Sequence, residues 1–282
     1  MHDSHMNSPT PAAAPTTQYL SRPERRIAYD LQGEGPLVVL VPGMADLRSS
    51  FRHLTPRLLA AGYSVATTDL RGHGDSDTSF TSYGDVATAG DVHALIQELG
   101  GKAAIVGNSL GAGAGVIVDA EHPEAVEALV LIGPFVRNPP VNAIALAVYR
   151  VLMAPLWVAA VWKRYMPTLY AGRKPDDFAD YRKAVIDSLK RPGYGKAFSL
   201  TTKQTDHDPA EVALPAVTAP TLVVMGELDP DFKDATAEAA WIGDQISAQV
   251  VMVADAGHYP QAQQPVQTAD AVIGFLKEVH SA

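Results

Sequence analysis

The 282-residue sequence contains no cysteine, which excludes disulfides, a thiolate nucleophile and thiolate metal ligands. The absence of disulfides favours a reducing compartment, so we expect a cytoplasmic protein, although a removed signal peptide would leave no trace. Positive charge is also scarce, because 22 lysines and arginines face 31 aspartates and glutamates and give a formal net charge of -9. Such a surface repels a phosphate backbone, so nucleic acid is not an expected partner.

Long apolar runs are also missing. The most apolar region, Val141–Met166, is broken by charged residues and a proline, and its longest uncharged stretch falls short of the roughly 20 residues that a membrane span needs. The first residues resemble the remnant of an expression tag, with Met6 as the natural start. The Pro/Ala/Thr-rich stretch that follows predicts a disordered arm, which we place over residues 1–20.

Short apolar runs alternate with segments of helical pattern along the rest of the chain. Continuous apolar runs are typical of strands that are covered on both faces, and they occur at Pro36–Val41, Tyr63–Asp69, Ala103–Asn108, Ala128–Gly133, Thr221–Gly226 and Ala248–Val253. This alternation predicts an α/β layered core in residues 21–134 and 218–282. Residues 135–217 lack strand-like runs, so we predict that they form a helical cap over the carboxyl edge of the sheet.

One serine stands between two glycines where a predicted strand meets a predicted helix. GNSLG, residues 107–111, fits G-x-S-x-G in the strand–turn–helix context that this motif needs. The turn is so tight that its neighbours must lack bulk, and it raises the hydroxyl above the sheet edge. We therefore predict Ser109 as a nucleophile. A dinucleotide loop is disfavoured, because Val116 and Val118 stand where G-x-G-x-x-G would require its third glycine.

A serine hydroxyl needs a base to take its proton and a carboxylate to orient that base. Of the nine histidines, only His258 directly follows a late predicted strand in a glycine-containing loop. Asp229 stands three residues after Gly226 at another strand end, so we predict it as the acid. Asp231 is the alternative acid, but a role in the turn or as a cap is the simpler interpretation of this residue. The earlier strand that ends in LIGPFVRN offers no carboxylate, which favours Asp229.

Two more stretches complete the predicted site. VPGMADL follows the first strong strand, so the backbone N–H of Met44 is a candidate oxyanion donor. The second donor should be the N–H of Leu110, directly after the nucleophile. The loop DLRGHGDSD is polar and rich in glycine, and we expect Asp69 and Arg71 in it to brace the neighbouring loops.

Residues from about Arg26 to Ser281 resemble the α/β-hydrolase fold superfamily, particularly its capped, single-domain members. DLRGHG, GNSLG, MGELDPD and AGHYPQ occur in the family's order and contexts. The resemblance implies an α/β fold with a mostly parallel, doubly wound sheet flanked by helices and a helical cap inserted after the sixth strand. It also implies a catalytic triad made of Ser109, His258 and Asp229.

This sequence departs from the family at the oxyanion loop. The common His-Gly pair is replaced by Pro42 and Gly43, which keeps the amide of Met44 but loses any polar contribution of the histidine. Relatives with an aspartate nucleophile, such as epoxide hydrolases and haloalkane dehalogenases, are disfavoured because position 109 is serine.

The resemblance implies a serine hydrolase that cleaves a carboxylic ester or lactone of an apolar substrate through an acyl-serine intermediate. Two alternatives stay open: a carbon–carbon bond hydrolase of ketone-type substrates, which GNS and Tyr259 also resemble, and a non-catalytic ligand-binding module. Trp157, Trp162 and Tyr149 could line the substrate chamber or pack the cap onto the core. No metal-spaced cluster or phosphate loop is present in the sequence, so we expect neither metal nor cofactor, and the oligomeric state is left open.

Overall fold

The apolar runs of the sequence form the strands of one central sheet. The computed structural model describes residues 15–140 and 142–281; the predicted tag remnant and Met6 lie outside the described residues. The described strands are β1 (Thr17–Ser21), β2 (Arg26–Gln32), β3 (Leu37–Val41), β4 (Ser64–Thr68), β5 (Ala103–Asn108), β6 (Val126–Ile132), β7 (Thr221–Gly226) and β8 (Gln249–Val253).

The eight strands lie side by side in the order β1-β2-β4-β3-β5-β6-β7-β8. β1 pairs antiparallel with β2, and β2 pairs antiparallel with β4, whereas all the other neighbours are parallel. The predicted arm, residues 1–20, therefore extends too far, because its last residues form most of β1. Leu20 pairs with Ile27 of β2 and is buried, which anchors this edge strand.

Helices connect the strands and cover the sheet. Among the described residues they are α1 (Thr55–Ala60), α2 (Asp85–Glu98), α3 (Leu110–Glu121), α4 (Ala143–Leu152), α5 (Val158–Leu169), α6 (Phe178–Leu189), α7 (Tyr194–Gln204), α8 (Asp208–Ala213), α9 (Ala235–Ile246), α10 (Pro260–Gln263) and α11 (Pro265–Ser281). Short 3₁₀ turns add Arg48–Phe51, Pro123–Ala125 and Leu214–Ala216. No helix within these described residues is both long and apolar enough to cross a membrane.

The sheet is packed on both faces, which explains why its strands read as unbroken apolar runs. Successive side chains of a strand point to opposite faces. Val38 and Leu40 of β3 belong to a core that α1 and α11 complete, whereas Val39 and Val41 face a second core shared with α2, α3 and α9. All six residues of β5 are buried. The strand that leads into the predicted nucleophile is therefore held from every side.

Five helices, α4 to α8, lie between β6 and β7, and we call them the insertion helices. They occupy the part of the chain predicted as a cap after the sixth strand. Several contacts tie them to the core: Arg52 donates to Asp177 at 2.6 and 2.7 Å, and the backbone N–H of His258 donates to the carbonyl of Leu169 at 2.8 Å. The domain boundaries at residues 134/135 and 217/218 remain predictions.

The two tryptophans predicted for the substrate chamber differ in burial. Trp162 of α5 is 7 % exposed, and its ring lies 5.2 Å from Phe198 of α7 in an edge-to-face arrangement. Trp157 is 42 % exposed, and its indole N–H donates to the carbonyl of Val151 at 2.9 Å. Trp162 therefore joins the insertion helices to one another, whereas Trp157 lies at their surface.

Truncation of the two tryptophans should separate these roles. Trp162→Ala removes a buried aromatic ring, so we expect a loss of about 3 kcal/mol or more of unfolding free energy and a melting temperature lower by at least about 6 °C. Trp157→Ala should cost less than about 1 kcal/mol, because its ring is largely in solvent. Calorimetric melts of both variants test this expectation, and equal losses would contradict it.

Candidate active site

Ser109 occupies a strained turn between β5 and α3. Its φ of 57° and ψ of -122° are unfavourable for a residue with a side chain. A Cβ on Gly107 would lie 2.3 Å from the carbonyl oxygen of Gly111, and a Cβ on Gly111 would lie 2.3 Å from that of Val41. Only glycine fits at either position, which explains the motif in physical terms. The turn has the geometry expected of a nucleophile elbow.

Asp229 and His258 follow two neighbouring parallel strands, β7 and β8. His258 Nδ1 donates a hydrogen bond to Asp229 Oδ2 at 2.8 Å, and both side chains are almost fully buried. Asp231, the alternative acid, lies farther away, with its Oδ2 3.7 Å from the same nitrogen. Its Oδ1 accepts a hydrogen bond from the Tyr165 hydroxyl at 2.6 Å. Asp229 is thus the direct partner of the histidine.

Asn108 connects the serine turn to the histidine loop. Its side-chain amide donates to the carbonyls of Ile132 at 2.9 Å and His258 at 3.2 Å. The absence of a side chain at Gly133 leaves space for the pair of His258 and Asp229. A Cβ at this position would lie 3.2 Å from His258 Nδ1 and 3.3 Å from Asp229 Oδ2. The loops that carry all three predicted triad residues therefore meet at one edge of the sheet.

The loop after β3 passes directly beside the serine. A Cβ on Gly43 would lie 2.8 Å from the Cβ of Ser109, so the chain is in contact with the elbow immediately before Met44. Leu110, the second predicted oxyanion donor, is the first residue of α3. The loop and the helix start thus bracket Ser109, and the two N–H groups stay predictions as oxyanion donors.

His73, which sequence reasoning left without a role, holds this loop in place. Ala45 has a φ of 62°, a left-handed conformation that is unusual for a residue other than glycine. Its N–H donates to His73 Nε2 at 2.9 Å, while His73 Nδ1 donates to the carbonyl of Arg71 at 2.8 Å. Burial lowers the pKa of His73 to about 4, so the ring is neutral near pH 7 and can accept. In the sequence, the polar, glycine-rich loop DLRGHG that contains His73 was the feature that could have indicated this role.

The electrostatic field at His258 is dominated by three carboxylates. Burial alone would lower the pKa of His258, but the charge and hydrogen bond of Asp229 oppose it, and Asp231 and Asp46 add to that effect. The net result raises the pKa of His258 to about 9. The three carboxylates therefore stabilise the protonated form of His258.

Asp46 is a buried acid beside the oxyanion loop that the sequence analysis did not identify. It is 2 % exposed, and its Oδ1 accepts hydrogen bonds from the Tyr181 hydroxyl and from the N–H of Leu47 at 3.0 Å. Burial raises the pKa of Asp46 to about 6, although the bond from Tyr181 and the charge of Arg52 counteract part of the shift. No local motif signals this residue, because its partner Tyr181 is 135 residues away.

An apolar cluster lies next to the oxyanion loop. The cluster includes Trp162, Met44 and the half-buried Tyr149. Burial raises the pKa of Tyr149 to about 12. Trp157 is the exception among the predicted lining residues, because it lies at the surface. Their contact with substrate stays a prediction.

Two groups of side chains bring potential metal-ligand atoms within 4.8 Å of one another in the described part of the chain. One consists of Asp229, Asp231 and His258, and the other of His93, His122 and Glu124. In the second group the two imidazole rings stack at 3.6 Å. The sequence spacing did not indicate this group, because β5 and α3 lie between His93 and His122. In the first group, His258 Nδ1 is engaged by Asp229.

Comparisons with known proteins define the family. Residues 38–271 match the model of the alpha/beta hydrolase family. The chain belongs to this family, as its sheet and its serine turn indicate.

Two curated relatives cover most of the chain. The 2-(acetamidomethylene)succinate hydrolase of Mesorhizobium japonicum is 31% identical over 255 residues, which cover 87% of this chain and 89% of the relative. The 2-hydroxymuconate semialdehyde hydrolase of Pseudomonas sp. is 29% identical over 89% of this chain and 87% of its own length. A thermophilic esterase from Thermogutta terrifontis shares the fold, with a TM-score of 0.75 and 24% identity. The match covers 95% of this chain and 100% of the esterase chain.

Proposed function

We propose that this hydrolase cleaves a carboxylic ester or lactone of an apolar substrate through an acyl-serine intermediate. The observation that carries the proposal is the combination of a left-handed serine, Ser109, with a buried pair of His258 and Asp229 on neighbouring loops. A carboxylate on Nδ1 leaves Nε2 as the proton acceptor, which is the arrangement that activates a serine hydroxyl.

The proposed mechanism gives each of these groups one role. Ser109 Oγ attacks the carbonyl carbon while His258 takes its proton, and the N–H groups of Met44 and Leu110 stabilise the negative charge on the carbonyl oxygen. His258 then gives the proton to the leaving oxygen, and an acyl-serine remains. His258 then takes a proton from a water molecule that attacks the acyl carbon, and it gives this proton to Ser109 Oγ as the bond to serine breaks and the acid is released. Asp229 holds the ring orientation and stabilises its positive charge throughout.

The surroundings support an apolar acyl or leaving group. Met153, Val158, Trp162 and Met166 pack in one cluster with Met44, the residue after the oxyanion glycine. An apolar cluster beside the oxyanion loop supports a substrate that is largely hydrocarbon near the reacting bond.

A carbon–carbon bond hydrolase is the second candidate. Two relatives are named as hydrolases of a succinate derivative and of a semialdehyde rather than of esters. Tyr259 is one of the residues on which the resemblance to carbon–carbon bond hydrolases rests. It is buried beside His258, with ring centroids 5.1 Å apart. Both reactions use the same triad, so substrate preference has to separate them.

Removal of the serine hydroxyl tests the proposal. Ser109→Ala should lower kcat by about 10⁴- to 10⁶-fold on whichever member of a panel of p-nitrophenyl esters, lactones and vinylogous diketones the wild type hydrolyses best. Ser199→Ala, which removes a buried hydroxyl on α7, serves as the matched control and should keep the wild-type rate. Near-wild-type turnover by Ser109→Ala would refute the nucleophile. A folded wild type that hydrolyses nothing in the panel would favour the ligand-binding alternative.

The two acids should differ in what they control. Asp229→Asn removes the partner of Nδ1, so kcat should fall by about 10⁴-fold. Asp231→Asn should change kcat less than about tenfold, because Asp231 Oδ2 lies 3.7 Å from Nδ1 and does not hydrogen-bond to the ring.

A pH profile of kcat/KM adds an independent readout. Because His258 must be neutral to accept a proton and its pKa is raised to about 9, wild-type kcat/KM should rise with pH up to about 9 and level off above it. Loss of the Asp231 charge lowers that pKa and should move the rise to lower pH. Equal losses of kcat in both variants, with no displacement of the profile, would reassign the acid.

A further inference from the structure

Two histidines and a glutamate lie together at the far end of α3 from the triad. His93 belongs to α2, His122 directly follows α3, and Glu124 lies in the 3₁₀ turn Pro123–Ala125. The possible ligand atoms of the three side chains lie within 4.8 Å of one another, and the two imidazole rings stack with their centroids 3.6 Å apart. The proposed chemistry uses none of these three residues.

Two packed helices hold the backbone of this group. Val92, beside His93, and Val118, one turn before His122, are both buried in the same apolar core. The N–H of His122 donates to the carbonyl of Val118 at 2.8 Å, and the carbonyl of His122 accepts from the N–H of Ala125 at 2.9 Å. Because helix packing fixes the backbone, a bound ion would have to order only the side chains.

The distances suit a small metal ion after modest rotation of the side chains. Two ligand atoms of a tetrahedral zinc ion are about 3.3 Å apart. Glu124 Oε1 lies 3.8 Å from His122 Nδ1, which is too far for a hydrogen bond but close to that separation. The stacked rings must also tilt apart. The His122 side chain is 37 % exposed and that of Glu124 is 72 % exposed, so both have room to turn and an ion can enter from solvent.

The ring nitrogens have little else to bind. Neither ring nitrogen of His122 makes a hydrogen bond to another group in the described part of the chain, and His93 Nε2 has one exposed contact, at 3.3 Å, with the side-chain nitrogen of Gln97. A neutral imidazole offers one nitrogen lone pair, so each ring can supply one ligand atom.

The donor set selects among metal ions. Imidazole nitrogen suits zinc and its first-row neighbours, whereas Mg²⁺ and Ca²⁺ prefer sets of oxygen ligands. Two imidazoles and one carboxylate form a ligand set that zinc uses in proteins, with water in the fourth position. A glutamate stands on each side of His122 in the stretch EHPE, so the local charge also favours a cation.

We propose that His93, His122 and Glu124 bind one zinc ion or a similar divalent transition-metal ion, which links α2 to the end of α3. The ion would lie about 20 Å along α3 from Ser109, which precedes the other end of that helix. The site is therefore separate from the triad and does not depend on the proposed function. Its expected effect is on the stability of the fold.

Zinc binding is tested in a full-length protein that carries His2→Ala and His5→Ala, because histidines of the N-terminal stretch can also bind metal. Calorimetric titration with zinc chloride should show one ion per chain, and magnesium or calcium chloride should show no binding at the same concentrations. When free zinc is about 100 times its dissociation constant, the melting temperature should rise by about 5 °C. Anomalous X-ray scattering should place zinc about 2.0–2.1 Å from one nitrogen of each ring.

Two substitutions in the same protein identify the ligands. His93→Ala removes an imidazole and should weaken zinc binding at least about tenfold, since even the loss of a group that only supports a ligand costs that much. Glu124→Gln should also weaken binding at least about tenfold. It changes an exposed side chain, so it should keep the fold and serves as the second variant if His93→Ala does not fold.

His280→Ala is the matched control. His280 Nε2 lies 3.2 Å from Glu127 Oε2, so this pair has a histidine and a glutamate but belongs to neither three-residue group of possible metal ligands in the described chain. The variant should keep the zinc affinity of its parent protein, which separates the loss of a ligand from the loss of any surface histidine.

Three outcomes would overturn the inference. The first is a parent protein that binds no zinc at about 100 μM. The second is undiminished zinc affinity in a folded His93→Ala or Glu124→Gln variant. The third is zinc binding that His93→Ala keeps and Asp231→Asn loses, because the ion would then lie at the group that contains His258. The binding and melting measurements need no substrate, so this inference and the proposed function fail separately.

Discussion

The close contact of three backbone segments around Ser109 is the constraint on which the rest of this site depends. β5 enters the turn, α3 leaves it, and the end of β3 runs alongside so closely that a methyl group on Gly111 would lie 2.3 Å from the carbonyl of Val41. The packing of both sheet faces holds these segments, and a single glycine at each contact lets them meet. The φ of Ser109 is positive because the segments packed around the turn leave no room for another backbone conformation.

The same contact organises the loop that begins at Gly43. This loop carries Met44 past the serine, turns through the left-handed Ala45 and ends with the buried Asp46. His73 secures the turn through the Ala45 amide, and Tyr181 secures the carboxylate from the side of the insertion helices. One short segment therefore links the elbow, the loop DLRGHG of the core and the insertion helices. Its geometry sets the position of the proposed oxyanion donor, the N–H of Met44.

The sequence predicted the parts of the fold that local patterns encode. The strands Ala103–Asn108 and Thr221–Gly226 agree with the structure residue for residue, because each is a buried run ended by a turn. The antiparallel strands Thr17–Ser21 and Arg26–Gln32 were missed, because half-exposed antiparallel strands lack an unbroken apolar run.

The site divides in the same way. Ser109, Asp229 and His258 could be predicted because each follows a strand end, and parallel strand ends meet at one edge. Asp46 and His73 could not, because their roles depend on partners that only tertiary folding brings near. The Asp46 carboxylate meets a tyrosine 135 residues away, and His73 meets a backbone amide 28 residues away. The spacing of residues along the sequence does not predict contacts of this kind.

The measurement that tests the account most directly is a crystal structure of the protein inactivated by a hexyl fluorophosphonate. The account predicts phosphorus bonded to Ser109 Oγ, with the phosphoryl oxygen about 2.7–3.1 Å from the backbone nitrogens of Met44 and Leu110. Phosphorus bonded to any other residue would contradict the assignment of the nucleophile. A phosphoryl oxygen on Ser109 that points away from both amides would contradict the proposed oxyanion site.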